Sequence, residues 1–119
     1  MGLKPTNKVG ALAEDFAANF LSAQGYKIID RNFRSRFGEI DIIALHGNLL
    51  VFVEVKARWS LKFGRPEEAV TPQKIWKITK TAEYYSLMHP NLPQSMRIEV
   101  VSLTIEKGKL INARLIPVE

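Results

Sequence analysis

A chain of 119 residues, 46% hydrophobic and 24% charged, suits one globular domain large enough to bury a core of its own. It has no cysteine, which excludes disulfides and thiolate metal sites, and no apolar run approaches the ~18 residues that cross a bilayer. Seventeen basic against twelve acidic residues leave a net charge of +5, an excess that attracts polyanions, nucleic acid above all.

The N-terminal stretch MGLKPTNKVGALAEDF lacks the apolar centre of a signal peptide, so a cytoplasmic protein that does not enter the membrane is expected. From Asn7 to Gln24 the residues Val9, Leu12, Ala13, Phe16, Phe20 and Leu21 recur with helical spacing. Thr6 or Asn7 is placed to cap this helix and Gly25 to end it. Glu14 falls at the edge of the apolar stripe, with Gly10 and Ala17 leaving room around it. Tyr26–Phe33 alternates loosely as a strand and runs into an arginine turn carrying Arg31, Arg34 and Arg36.

Glu39–Leu45 and Leu49–Arg58 read as two further strands joined at Gly47-Asn48, a two-residue hairpin turn. Residues 59–70, with Gly64 and Pro66, form a loop. Thr71 and Pro72 then open a second helix as N-cap and first helical residue, and it runs to Met88. On that helix Lys74, Lys77 and Lys80 lie opposite Ile75, Ile78, Ala82 and Tyr85, a basic face of the kind that is usually solvated. Strands at 96–106 and 109–117 flank a turn at Lys107-Gly108. The order is α-β-β-β-α-β-β, one α/β domain over residues 1–119. His46 and His89 fall in turns with no metal-ligand spacing and read as incidental.

The hairpin turn fixes a register. With His46 facing Leu49, Asp41 comes opposite Glu54 and Glu39 opposite Lys56, and strict alternation puts all four on one face. Ile40, Ile42, Val51, Val53 and Val55 then line the other. Two carboxylates facing each other in apolar strands repel. Protonation of one, or a cation between them, relieves the conflict. Mg²⁺ is bound by one or two carboxylates plus waters and phosphate oxygens, so Asp41, Glu54 and the carbonyl of Val55 form a candidate set of metal ligands. Glu14 joins them if the first helix covers this face. A metal held there polarises a phosphoryl oxygen and lowers the pKa of bound water, and Lys56 beside it can orient or deprotonate that water. Taken alone, Glu54-x-Lys56 is a common surface ion pair worth roughly 0–1 kcal/mol. The facing Asp41, the apolar strands and the helix-borne Glu14 are what favour chemistry.

The segments Gly10-x-x-Ala13-Glu14-x-x-Ala17, Gly25-Tyr26, Arg31-Asn32, GEIDIIA at 38–44 and VFVEVKxR at 51–58 together resemble the YraN-like family of bacterial proteins. Gly64-x-Pro66-x-Glu68-Ala69-Val70 and Lys74 extend the resemblance, which covers residues 8–105. That family is similar to the PD-(D/E)xK nuclease superfamily and to archaeal Holliday-junction resolvases. The resemblance implies a restriction-endonuclease-like core, a mixed sheet of about five strands flanked by two main helices, acting on DNA with Mg²⁺ or Mn²⁺. By position, Asp41 and Glu54 would be the metal ligands, Lys56 the catalytic lysine and Glu14 the helix-borne acid. Ile40 stands where the superfamily motif has proline, and Glu99 where the family usually has aspartate.

The expected activity is metal-dependent endonucleolytic cleavage of DNA, branched DNA included, with Arg34, Arg36, Arg58, Arg65 and Lys74 contacting phosphates. The resolvase likeness suggests a homodimer. Three alternatives are weighed against it. A non-catalytic nucleic-acid-binding protein of the same fold would keep its DNA affinity after Asp41→Asn. A metal-free carboxylate-pair hydrolase acting on sugars is disfavoured by the lysine and the basic balance. An interaction module would leave the charged strand face merely solvated.

Overall fold

The structure is a computed structural model that describes residues 7–59 and 70–118, with side chains from Gly10 onward. Its elements follow the expected order: α1 (Asn7–Ala23), β1 (Lys27–Ser35), β2 (Gly38–His46), β3 (Leu49–Arg58), α2 (Pro72–Met88), β4 (Ser95–Glu106) and β5 (Lys109–Pro117). The five strands form one mixed sheet in the order β1-β2-β3-β4-β5. All neighbours are antiparallel except β3 and β4. A parallel pair needs a long crossover, and α2 lies within it.

Each face of the sheet is covered by one helix. Ala13, Ala17 and Leu21, four residues apart on α1, pack with Ile42, Ala44, Val51, Val53, Val101, Leu103 and Ile105. The two alanines bring the helix close to the sheet. The buried line therefore runs through positions 13, 17 and 21, and Leu12 of the expected stripe stays exposed. Ile78, Ala82 and Tyr85 of α2 close the other face over Ile40, Ile43, Leu50 and Phe52. Among the described residues, no helix is long and apolar enough to cross a membrane.

The helix ends carry the expected signals. At α1, Gly25 adopts φ +93, its N–H donates to Ser22 O (3.0 Å), and the Tyr26 N–H donates to Leu21 O (3.0 Å). That pair of bonds is a Schellman motif, and the left-handed residue it needs is glycine. At α2, the Thr71 hydroxyl accepts from the Lys74 N–H (3.2 Å) ahead of Pro72. Thr6 and the side chains of Asn7 and Val9 lie outside the described residues.

Both histidines have structural roles that sequence spacing missed. His89 stacks on Tyr85 (4.1 Å between centroids), and its Nδ1 lies 2.9 Å from Tyr85 O at the end of α2. His46 stacks on Tyr26, also at 4.1 Å. The Tyr26 hydroxyl donates to Glu99 Oε1 (2.8 Å), and Arg97 lies 3.5 Å from the other oxygen of that buried carboxylate. Glu99 thus ties the start of β1 to β4.

Burial, and then the hydrogen bond and charge of Glu99, push the Tyr26 phenol up to about 12. Its folded pKa lies above the ordinary value, so this contribution is complete below pH ~10 and is lost as pH rises through about 12. Tyr26→Phe should cost about 1–3 kcal/mol in chemical denaturation at pH 7. It should also flatten the alkaline fall in stability. An unchanged midpoint would mean that Glu99 finds an equal partner without the phenol.

Candidate active site

The β2–β3 register is the one the turn dictates: His46 pairs with Leu49, Leu45 with Leu50, and the ladder continues to Ile42 with Val53. There it stops. Beyond this pair the Asp41 carboxylate takes the place of a backbone partner, its Oδ2 accepting from the Val55 N–H at 2.7 Å. The two strands therefore open into a fork, with Asp41 on one prong and Glu54, Val55 and Lys56 on the other.

The expected one-face arrangement is corrected here. Ile42 packs under α1, but Ile40 packs under α2, although the two differ by an even number of positions. The alternation breaks at Asp41. It breaks in β1 at the same level: Phe33 pairs with Ile40 and Arg31 with Ile42, while Asn32 between them sits at φ +56. Phe33 contacts Tyr84 and Tyr85 of α2, whereas Arg31 reaches Asp15 of α1 at 2.9 Å. A left-handed residue turns the strand over, and its paired neighbour follows.

Asp41 consequently lies at the point where the strand changes face. It lines a slot beneath α1 with Gly10, Ala13, Glu14, Val55, Ala57 and Trp59. It also meets the Glu54 carboxylate, which lies on the α2 side with Phe52. Burial first, then the charge of Glu54, raise the Asp41 carboxyl to about 7; the Val55 N–H works the other way and Glu14 adds to the rise.

Glu54 is buried and holds two ammonium groups, Lys74 Nζ at 2.6 Å and Lys56 Nζ at 3.5 Å, both on Oε2. Lys56 is brought below the usual lysine range by burial and by Lys74 beside it, against the pull of Glu54. Lys74 is pushed up: burial opposes its charge, and the contact with Glu54 outweighs that. Two amines thus share one carboxylate, and their pKa values are pushed in opposite directions, Lys74 up and Lys56 down.

Lys74 therefore belongs inside the cluster and not on a solvated basic face. The sequence marked it as an expected phosphate contact and through the family resemblance; its pairing with Glu54 is a tertiary fact, because the crossover carries α2 over that carboxylate. The ladder ends before the expected pairing of Glu39 with Lys56, and Glu39 Oε1 lies 3.7 Å from Arg34 Nε across the β1–β2 hairpin. Glu14 accepts from Asn32 Nδ2 (3.1 Å) and lies 3.7 Å from Arg31, so it is held beside Asp41 by the same residue that turns β1 over. α1 covers the face opposite Glu54, and Glu14 reaches the cluster only through the Asp41 side of the fork.

Among the described residues, no three His, Asp or Glu side chains converge as metal ligands, which leaves the two carboxylates of the fork. Of the expected phosphate contacts, Arg34 and Arg36 sit on the hairpin tip, Arg36 over the Phe37 ring at 5.0 Å. They line a groove with Ser35, Phe37 and Tyr84. A Cβ on Gly38 of this hairpin would lie 3.6 Å from the Lys77 side chain, one turn of α2 beyond Lys74. Arg58 ends β3 with its Nε buried and unpaired among the described residues. Arg65 lies outside them, as does most of the loop expected at 59–70.

Comparison with known proteins places the chain in a family. Residues 13–103 match the model of a family described as "Uncharacterised protein family UPF0102". A UPF0102 protein of Lachnoclostridium phytofermentans is 51% identical over 105 residues, covering 87% of this chain and 88% of its own. One from Syntrophomonas wolfei is 44% identical over 111 residues, covering 89% and 96%, and one from Dictyoglomus turgidum 40% identical over 111 residues, covering 92% and 94%. The matched span runs from Ala13, under which the slot opens, through the fork and α2 to Leu103. The chain belongs to the UPF0102 family.

Proposed function

We propose that the fork is the active centre of a divalent-metal-dependent endonuclease that hydrolyses DNA phosphodiesters, branched DNA included. The observation that carries this reading is the meeting of Asp41, Glu54 and Lys56 at the end of a broken ladder. The crowded carboxylates suit a hard cation: Asp41 is raised to about 7 largely by burial and by Glu54, so a positive charge between them would relieve both. Asp41, Glu54 and the Val55 carbonyl would hold Mg²⁺ or Mn²⁺, which supplies Lewis acidity and a more acidic bound water.

The protein's own residues supply the rest. Lys56, its pKa lowered, is suited to orient and deprotonate the attacking water at its Nζ. Lys74 offsets charge on Glu54. Arg34 and Arg36 on the hairpin tip, with Lys77, extend the basic side of the fork along a path for the DNA backbone. A nuclease-like core and a homodimer that cuts two strands symmetrically belong to this same reading.

One observation favours a second reading. Lys74 Nζ at 2.6 Å already neutralises Glu54, as it would in a protein that binds DNA and does not cut it. Nicking of supercoiled plasmid and synthetic four-way junctions with Mg²⁺, Mn²⁺ or EDTA separates the two. Cleavage that needs a divalent ion and Lys56 supports the enzyme. Salt-sensitive binding that survives Asp41→Asn, without cleavage under any metal, supports the binding protein.

A further inference from the structure

The fork accounts for one side of Asp41. Its other side opens into the slot between α1 and the end of β3, about 260 Å³ in volume. That is under the ~300–1,000 Å³ of pockets that enclose drug-sized ligands, and it suits one planar group. The floor is made of small residues: Gly10 and Ala13 from the helix, Ala57 from the strand. A Cβ built on Gly10 meets nothing within 4 Å among the described residues, so a larger side chain has room there. The far wall is Trp59, directly after β3 and 41% exposed. Among the described residues no ring stacks on its indole.

A partly exposed indole beside a slot lined largely by small residues leaves a face for a stacking partner, and aromatic faces stack bases of any sequence. The position selects the partner. The slot shares Asp41 and Val55 with the fork, so a group in it would adjoin a phosphate held at the fork. The carboxylates Glu14 and Asp41 on its rim disfavour a second phosphate there and accept hydrogen bonds from neutral donors. A base paired in a duplex cannot present its face to a side chain; an unpaired one can.

We infer that this slot holds an unpaired nucleobase stacked on Trp59, so that the site acts on a strand with an unpaired nucleotide beside the scissile phosphate. The inference rests on the reading of the fork as a nuclease centre, but its binding half is testable without cleavage. The chain has two tryptophans, so Trp76→Phe leaves Trp59 as the sole indole reporter. In EDTA, an oligothymidylate should quench its fluorescence at concentrations where a duplex of equal length does not. Trp59→Ala should weaken single-strand binding about 5- to 100-fold and duplex binding little. Gly10→Leu, which fills the slot from the helix side, should give the same selective loss with the thermal midpoint retained or raised.

Unchanged fluorescence, or variants that weaken single-strand and duplex binding equally, would overturn the slot. Such a result beside metal-dependent nicking by the wild type would leave the nuclease reading standing alone. Quenching and selective loss without cleavage under any metal would support the slot as a single-strand binding site and sink the nuclease reading.

Discussion

Replacing Lys56 by alanine is expected to reduce metal-dependent cleavage by about 10²- to 10⁴-fold, the usual worth of a positioned proton-transfer group. DNA affinity in EDTA should change by much less. The expectation follows from the two amines at Glu54. Lys74 lies 2.6 Å from the carboxylate and Lys56 3.5 Å, and Lys56 is the one whose pKa is lowered. Burial and Lys74 both act to lower the Lys56 pKa. Lys74→Ala removes the second of these and should raise the pKa of Lys56. The rising limb of the pH–rate profile should then move to higher pH, because a base must be unprotonated to act. Gel quantification of nicked plasmid across pH 6–9 reads both effects. Equal rates for wild type and Lys56→Ala would remove this lysine from the chemistry.

Asp41→Asn should abolish cleavage yet stabilise the protein, two effects of opposite sign from one atom. The carboxyl is raised from 3.8 to about 7 in the fold, so ionised Asp41 is harboured at a cost near neutral pH and above. A rise of that size corresponds to at most about 4 kcal/mol, and relaxation and water around the half-buried fork reduce it, so a gain of roughly 1–3 kcal/mol is expected at pH 8. The sign is fixed by linkage. A folded pKa above the unfolded one contributes stability that is complete below pH ~4 and lost as pH rises through about 7. Wild-type stability in EDTA should therefore fall across this window, and the variant should not follow it. Millimolar Mg²⁺ should restore the wild type and leave the variant unaffected. Urea denaturation at pH 5, 6, 7 and 8 measures all of this. A variant less stable than wild type at pH 8 would show that Asp41 carries no strain from Glu54.

Local chemistry made much of the fold legible. Gly47-Asn48 set the β2–β3 register, Gly25 the end of α1, and Thr71-Pro72 the start of α2, each through bonds made within a few residues. The register in turn brought Asp41 to the level of Glu54. Alternation failed at one place, and the reason lies on another strand: Asn32 at φ +56 turns β1 over, and β2 follows through their pairing. Asparagine tolerates that conformation without announcing it.

By itself, the sequence determined the element order, the hairpin register and the identity of the acid–acid–lysine group, because turn chemistry and side-chain period are local. Only the tertiary structure decided which helix covers which face. It put α1 over Val53 and α2 over Glu54, which made Lys74 a partner of the carboxylate and limited Glu14 to the Asp41 side. It also decided that Asp41 looks both ways, into the fork and into the slot under Trp59. Such placements depend on how a crossover and a broken ladder bring distant segments together, and no period in one strand encodes that.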